Sequence, residues 1–137
     1  MNGYPVIVEQ TVAWRDMDSF GHVNNVVFFH YFEIARIELL SRLGWLLQKQ
    51  TEGIGPIVAS TSAKFRKALT YPDRLRIGAR IGLIRSDRVT IEHAIESESL
   101  QAVCCDGEAV VVNYDYRQLA KRDFSEAMAK KLSAFSP

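Results

Sequence analysis

Apolar and polar positions alternate along this chain with one of two periods, and the changes between them mark out its elements. From Tyr4 to Arg15 the period is two. Val6, Val8, Val12 and Trp14 share one face and Glu9, Thr11 and Arg15 the other, which predicts a strand. From Val26 to Leu43 the period lengthens to that of a helix, with Phe28, Phe32, Ala35, Leu39 and Leu43 on one stripe. Asn24 is placed as its N-cap, Val23 and Phe28 as a hydrophobic staple across the cap, and Gly44 as its stop. The first half of this helix also carries Val27, Tyr31 and Ile34 away from the stripe. A helix apolar on every side is covered on every side, more than one sheet can do, so a second subunit is expected to help.

After a glycine-rich loop, Glu52–Pro56, the period returns to two and stays there. Strands are predicted over Ile57–Leu69, Arg74–Ile84, Val89–Ile95 and Ala102–Tyr116, separated by the turn signals Thr70–Asp73 and Arg85–Arg88. Asp106-Gly107 reads as a hairpin turn or a bulge inside the last of them. Asp123–Phe135 closes the chain as a short amphipathic helix. The order strand, helix, four strands favours an antiparallel sheet curling around one long helix, an α+β arrangement.

Composition changes this picture little. At 137 residues, 47% hydrophobic and 24% charged, the chain reads as one domain over residues 1–137 of an ordinary globular kind. A net charge of +1 argues against a nucleic-acid partner held by a bulk positive field. The start lacks the basic and apolar regions of a signal peptide, and no apolar run is long enough to span a bilayer. The two cysteines, Cys104 and Cys105, are neighbours whose side chains point apart on a strand, so they read as free thiols, one of them buried, in a reducing cytoplasm. Three scattered histidines with no CxxC or HExxH spacing give no metal signature.

The chemistry is concentrated in one place. Between the first strand and the helix, Asp16 to Asn25 packs two aspartates, a glycine-histidine pair and two asparagines into one short connection. A plain connector needs one or two such residues. Either aspartate is a candidate acid or base, and spacing alone leaves the two open. Ser60, Thr61 and Ser62 lie on a strand without the G-x-S-x-G elbow that would expose a serine nucleophile. Lys64, Arg66 and Lys67 close the second strand, while Arg74, Arg76 and Arg80 line the polar face of the third. These are either a solvated outer face or a phosphate-binding patch, with Arg66 and Lys67 the candidates for contact.

The segments DMDSFGHVNN and FHYFEIAR, with Pro72-Asp73 before the third strand and Gly107–Val112 in the last, resemble the signature of the 4-hydroxybenzoyl-CoA thioesterase-like family of the hotdog superfamily. The resemblance covers about residues 5 to 116 and implies a hotdog fold, in which a curved five-stranded antiparallel sheet wraps one long central helix. It implies an acyl-CoA thioesterase without cofactor or metal, acting on an acyl-CoA or an acyl-carrier protein, with no membrane or nucleic-acid partner. It implies subunits paired as a dimer or a tetramer of dimers, with the active site at the interface. By position, the catalytic carboxylate is Asp18 and the carbonyl-polarising donor the backbone N–H of Asn25. His22 and Asn24 match the H-V-N-N variant, which implies His22 as a further catalytic candidate and Asn24 as a substrate-binding one, and Tyr31 falls where an acyl pocket would be lined. This chemistry is coherent on its own terms. Thioester hydrolysis needs a carboxylate that attacks or activates water and a donor for the developing oxyanion, and a helix start supplies unpaired N–H groups. A hydratase or dehydratase of acyl thioesters and a non-catalytic acyl-CoA-binding module are the alternative readings.

Overall fold

The computed structural model describes residues 1–137. Strand β1 (Val6–Thr11) leads through one 3-10 turn (Trp14–Asp16) and a polar hairpin into helix α1 (Asn25–Arg42), and α2 (Trp45–Glu52) follows at once. Then come β2 (Ile54–Phe65), β3 (Arg74–Ile84), β4 (Arg88–Ser97), β5 (Ala102–Asp115), the two-residue β6 (Ala120–Lys121) and α3 (Glu126–Ala134). All pairings are antiparallel, in the order β1-β3-β4-β5-β2, with β6 added to β5. A curled antiparallel sheet holding one long helix is the hotdog arrangement that the resemblance implied.

Helix α1 starts where the sequence predicts because Asn24 caps it, its Oδ1 accepting the Val26 N–H at 3.1 Å. Phe28, Tyr31, Phe32, Ala35 and Leu39 are buried on the inner stripe. Burying each large side chain contributes about 1.5–3 kcal/mol. They meet Leu75, Ile77, Ala79 and Ile81 of β3 and Val89, Ile91, His93 and Ile95 of β4, all at most 1% exposed, so the period-two faces read from the sequence are the core faces. The helix lies over β1, β3 and β4 and touches β2 only marginally.

Several expected boundaries differ. β1 ends at Thr11, and Trp14 is not on its buried face but 72% exposed in the 3-10 turn. Helix α2 was not expected, because its eight residues carry one buried side chain, Trp45, too few to show a period. β2 begins at Ile54, inside the expected loop, and ends at Phe65, and most of its residues are exposed on both faces. Asp106-Gly107 is neither a turn nor a bulge, since pairing runs through it unbroken to both β2 and β4. Gly107 is needed for close approach instead: a Cβ there would run into the Ser62 carbonyl oxygen and lie 2.9 Å from the Phe32 ring. Cys104 and Cys105 are both buried and free, where one buried thiol was expected.

His93 of β4 is 1% exposed and stacks on Phe32 with ring centroids 4.8 Å apart, and neither ring nitrogen has a hydrogen-bond partner. Burial, with a smaller contribution from the nearby Arg36 cation, lowers its pKa to about 3. The folded chain therefore holds a neutral imidazole that the unfolded chain would protonate near the ordinary value. Stability should fall as pH drops below about 6.5, by at most about 1.4 kcal/mol per pH unit from this group. Melting curves between pH 7 and pH 4 test this. His93→Leu, which cannot titrate, should show a shallower decline, and equal slopes in the two proteins would remove His93 as the cause.

Candidate active site

The polar connection folds as a tight hairpin. Met17 bridges to Val23, the Asp18 N–H donates to the His22 carbonyl at 2.8 Å, and the Gly21 N–H returns to the Asp18 carbonyl at 3.2 Å. Gly21 closes the turn at φ +81°, a conformation side chains disfavour. The Phe20 N–H donates to Asp18 Oδ1 at 2.9 Å, a local turn bond that fixes the carboxylate. The second carboxylate oxygen, Oδ2, has no partner within the chain and is free for chemistry.

Asp16 is placed differently. Its Oδ2 accepts from the Ala13 N–H at 2.9 Å and from the Tyr31 hydroxyl at 2.8 Å, and its carbonyl accepts from the Asn24 N–H at 2.9 Å. The two aspartates that spacing left open are thus separated by geometry, Asp16 bound into the frame and Asp18 partly exposed on the hairpin.

At the helix start the N–H groups are accounted for one by one. Val26 donates to Asn24 Oδ1 and Val27 to the Asn24 carbonyl at 2.9 Å. The Asn25 N–H donates to no group of the chain. It is an unspent donor at the positive end of an 18-residue helix.

Beside it opens a cleft of about 250 Å³, lined among others by His22, Asn25, Phe28, Phe65, Arg66 and Lys67. Four of the residues singled out in the sequence therefore meet there: His22, Asn25, Arg66 and Lys67. Phe28 and Phe65 form its apolar wall, edge to face at 5.3 Å, and were not singled out as site residues. The signal for Phe65 was its place at the end of a strand directly before the basic pair.

Three of the singled-out residues do not line this cleft. Asp18 sits on the hairpin that borders it. Asn24 caps the helix through its Oδ1 and does not line the cleft. Tyr31, expected to line an acyl pocket, is 1% exposed and gives its hydroxyl to Asp16, so its contact is with the frame.

The two basic residues also divide. Arg66 is paired with Asp106 across the strands, which raises its pKa and neutralises most of its field. Lys67 has no acidic partner and stays free for an anion. On the outer face Arg76 pairs with Glu96 at 3.4 Å and Arg80 with Glu92 at 2.7 Å, each directly opposite its partner in the β3–β4 register. A shallow groove of about 900 Å³ runs over that face; its cations Arg66 and Arg80 are balanced by carboxylates, while Lys64 makes no ion pair. The basic stripe of the third strand is a paired surface ladder.

Comparison with known proteins places the family and the fold. Residues 12–132 match the sequence pattern of the thioesterase-like superfamily. The uncharacterised protein YsmA of Bacillus subtilis strain 168 is 31% identical over 103 residues, covering 74% of this chain and 67% of its own. Among solved structures, the PA5185 protein of Pseudomonas aeruginosa strain PAO1 is 26% identical with a TM-score of 0.84, covering 98% of this chain and 93% of that one. A thioesterase of Thermus thermophilus, solved with coenzyme A and zinc, is 25% identical with a TM-score of 0.83, covering 95% and 98%.

Proposed function

This chain belongs to the thioesterase-like superfamily and is a thioester hydrolase, and from that footing we propose that it cleaves acyl-CoA, with Asp18 as the catalytic carboxylate and the Asn25 N–H as oxyanion donor. One observation carries the assignment. The hairpin has an uncommitted carboxylate oxygen, Asp18 Oδ2, on one arm, and its other arm runs through Asn24 into an uncommitted helix-start amide, Asn25 N–H. Sulfur donates weakly into a thioester carbonyl, so the carbon is electrophilic. The amide polarises the oxygen and receives the negative charge as it develops, a contribution of about 3–4 kcal/mol. Asp18 then either adds to the carbonyl carbon, giving an anhydride that water opens, or takes a proton from the attacking water. Both routes release free acid and thiol. His22, at the cleft edge with an exposed side chain, is assigned to contact with the bound thioester.

Coenzyme A bound to the Thermus relative supports a nucleotide-bearing substrate here, and Lys67 is the uncompensated cation at the cleft to meet its phosphates. Lys67→Glu should raise KM for an acyl-CoA about tenfold and leave KM for a short thioester without the nucleotide nearly unchanged. An equal rise for both would remove Lys67 from phosphate binding. Arg66→Glu is a poorer test because it also puts a second acid beside Asp106.

The assembly is proposed as a dimer, or pairs of dimers, of this chain. β2 is a 12-residue edge strand with Ile57, Val58 and Phe65 39–48% exposed, and α1 shows Val26 and Ile37 outward at 67% and 47%. A long apolar edge of this kind is ordinarily covered. No helix is long and apolar enough to cross a membrane, and the two free thiols fit a reducing cytoplasm.

Release of free thiol from a panel of aromatic and aliphatic acyl-CoAs, followed with a thiol reagent, tests the activity. Turnover without thiol release would identify a hydratase or dehydratase, and tight binding without turnover a sensor.

A further inference from the structure

Asp16 joins three parts of the frame by hydrogen bonds. Its Oδ2 takes the Ala13 N–H at the start of the 3-10 turn and the Tyr31 hydroxyl from within α1. Its carbonyl takes the N–H of Asn24, the cap of the same helix. Two residues beyond Asp16 lies Asp18, and six residues before Tyr31 on the helix lies the Asn25 amide. The Tyr31–Asp16 bond is therefore a strap from the body of the helix to the arm that carries the carboxylate. It is the only side-chain hydrogen bond between α1 and that arm.

We propose that Tyr31 is a positioning residue of the hydrolysis, holding the Asp18 arm at a fixed distance from the Asn25 amide through Asp16. The inference rests on the Asp18 and Asn25 assignments above. Its physical basis is reach: two groups must converge on one carbonyl, and they belong to separate elements joined by a hairpin containing Gly21. The hairpin's arms are joined to each other by the Met17–Val23 bridge and to the loop before β3 by the Val23 N–H. No side-chain hydrogen bond other than that of Tyr31 ties the Asp18 arm to the body of the helix, and misplacement of about 1 Å costs up to about a hundredfold in rate. Tyr31 is suited to the task. Its ring is 1% exposed and packs edge to face on Phe28 at 6.1 Å, which fixes the hydroxyl in place. Burial first, and the Asp16 carboxylate second, raise its pKa, so the hydroxyl stays a donor at every working pH.

The test is Tyr31→Phe, which keeps the ring and deletes the donor, measured on the full chain beside Asp18→Asn and the double variant. Tyr31→Phe should lower kcat about tenfold or more with KM for acyl-CoA within about twofold of the parent. On the slow background of Asp18→Asn it should cost nothing further, because there is no carboxylate left to aim. A structural role alone would lower the melting temperature while the folded enzyme kept its kcat. Should Tyr31→Phe melt lower, kcat measured at a temperature where its melting curve shows it fully folded decides, and the loss must persist there. An unchanged kcat in Tyr31→Phe while Asp18→Asn is inactive overturns the strap and spares the catalytic assignment. Parent-like kcat in Asp18→Asn overturns both. Equal fractional losses from Tyr31→Phe in the parent and in Asp18→Asn also overturn the strap.

Discussion

Asp18→Asn should reduce kcat on the best acyl-CoA by about a hundredfold or more while leaving the melting temperature close to that of the parent. The reason is the split between the two carboxylate oxygens. Oδ1 is the one that accepts the Phe20 N–H at 2.9 Å, and an asparagine carbonyl oxygen can take over that turn bond. Oδ2 makes no bond within the chain, so replacing it removes a nucleophile or base and no structural contact. The side chain is part-exposed and pairs with no cation, so its neutralisation strands no buried charge. Asp16→Ala provides the contrast, because it leaves the Ala13 N–H and the Tyr31 hydroxyl without their acceptor inside the frame and should lower the melting temperature. Steady-state kinetics with a thiol reagent and a melting curve check the pair of claims. Near-parent turnover in Asp18→Asn would withdraw the assignment.

Asn25→Pro should cost a comparable amount, about a hundredfold to a thousandfold in kcat, the range for deleting one oxyanion donor. Proline in a helix is ordinarily ruinous, but this is the first helical position, where a missing N–H breaks no helical bond and the fixed φ suits the turn. The preceding residue must avoid the helical region, and Asn24 already stands at φ −59°, ψ 136°. The substitution thus deletes one hydrogen-bond donor that the fold does not use. Asn25→Ala, which keeps the N–H and loses only the exposed side chain, is the companion measurement and should stay within a few-fold of the parent. Similar large losses in both would move the function from the backbone amide to the Asn25 side chain.

How much of this was legible in the sequence follows from which interactions are local. The cap at Asn24, the core faces of β3 and β4 and the span of α1 rest on periodicity and on neighbours a few residues apart, so they could be read directly. The family resemblance, carried by a contiguous motif, supplied the hotdog fold and the thioester chemistry. What spacing could not settle was long-range. Whether Asp16 or Asp18 is free depends on Tyr31, fifteen residues from Asp16. Whether Arg66 or Lys67 stays unpaired depends on Asp106, forty residues from Arg66. Gly107 looked like a turn residue because Asp-Gly usually is one, and only packing against Phe32 and β2 explains it. β2 was placed too late because its residues are exposed on both faces, so the alternation that marks a half-buried strand has no single core to report on.

Gly107 also acts at a distance from where it lies. With no side chain at that point, the Phe32 ring settles against the backbone of the strands beneath it, and the whole rod of α1 rests at the depth this allows. Even a methyl group would strike the Ser62 carbonyl first, prising at the β2–β5 pairing, and would press on the Phe32 ring that seats the rod. Damage at Gly107 would then surface in the melting curve as well as in turnover, through an altered atom that touches neither the substrate nor any group that reacts with it.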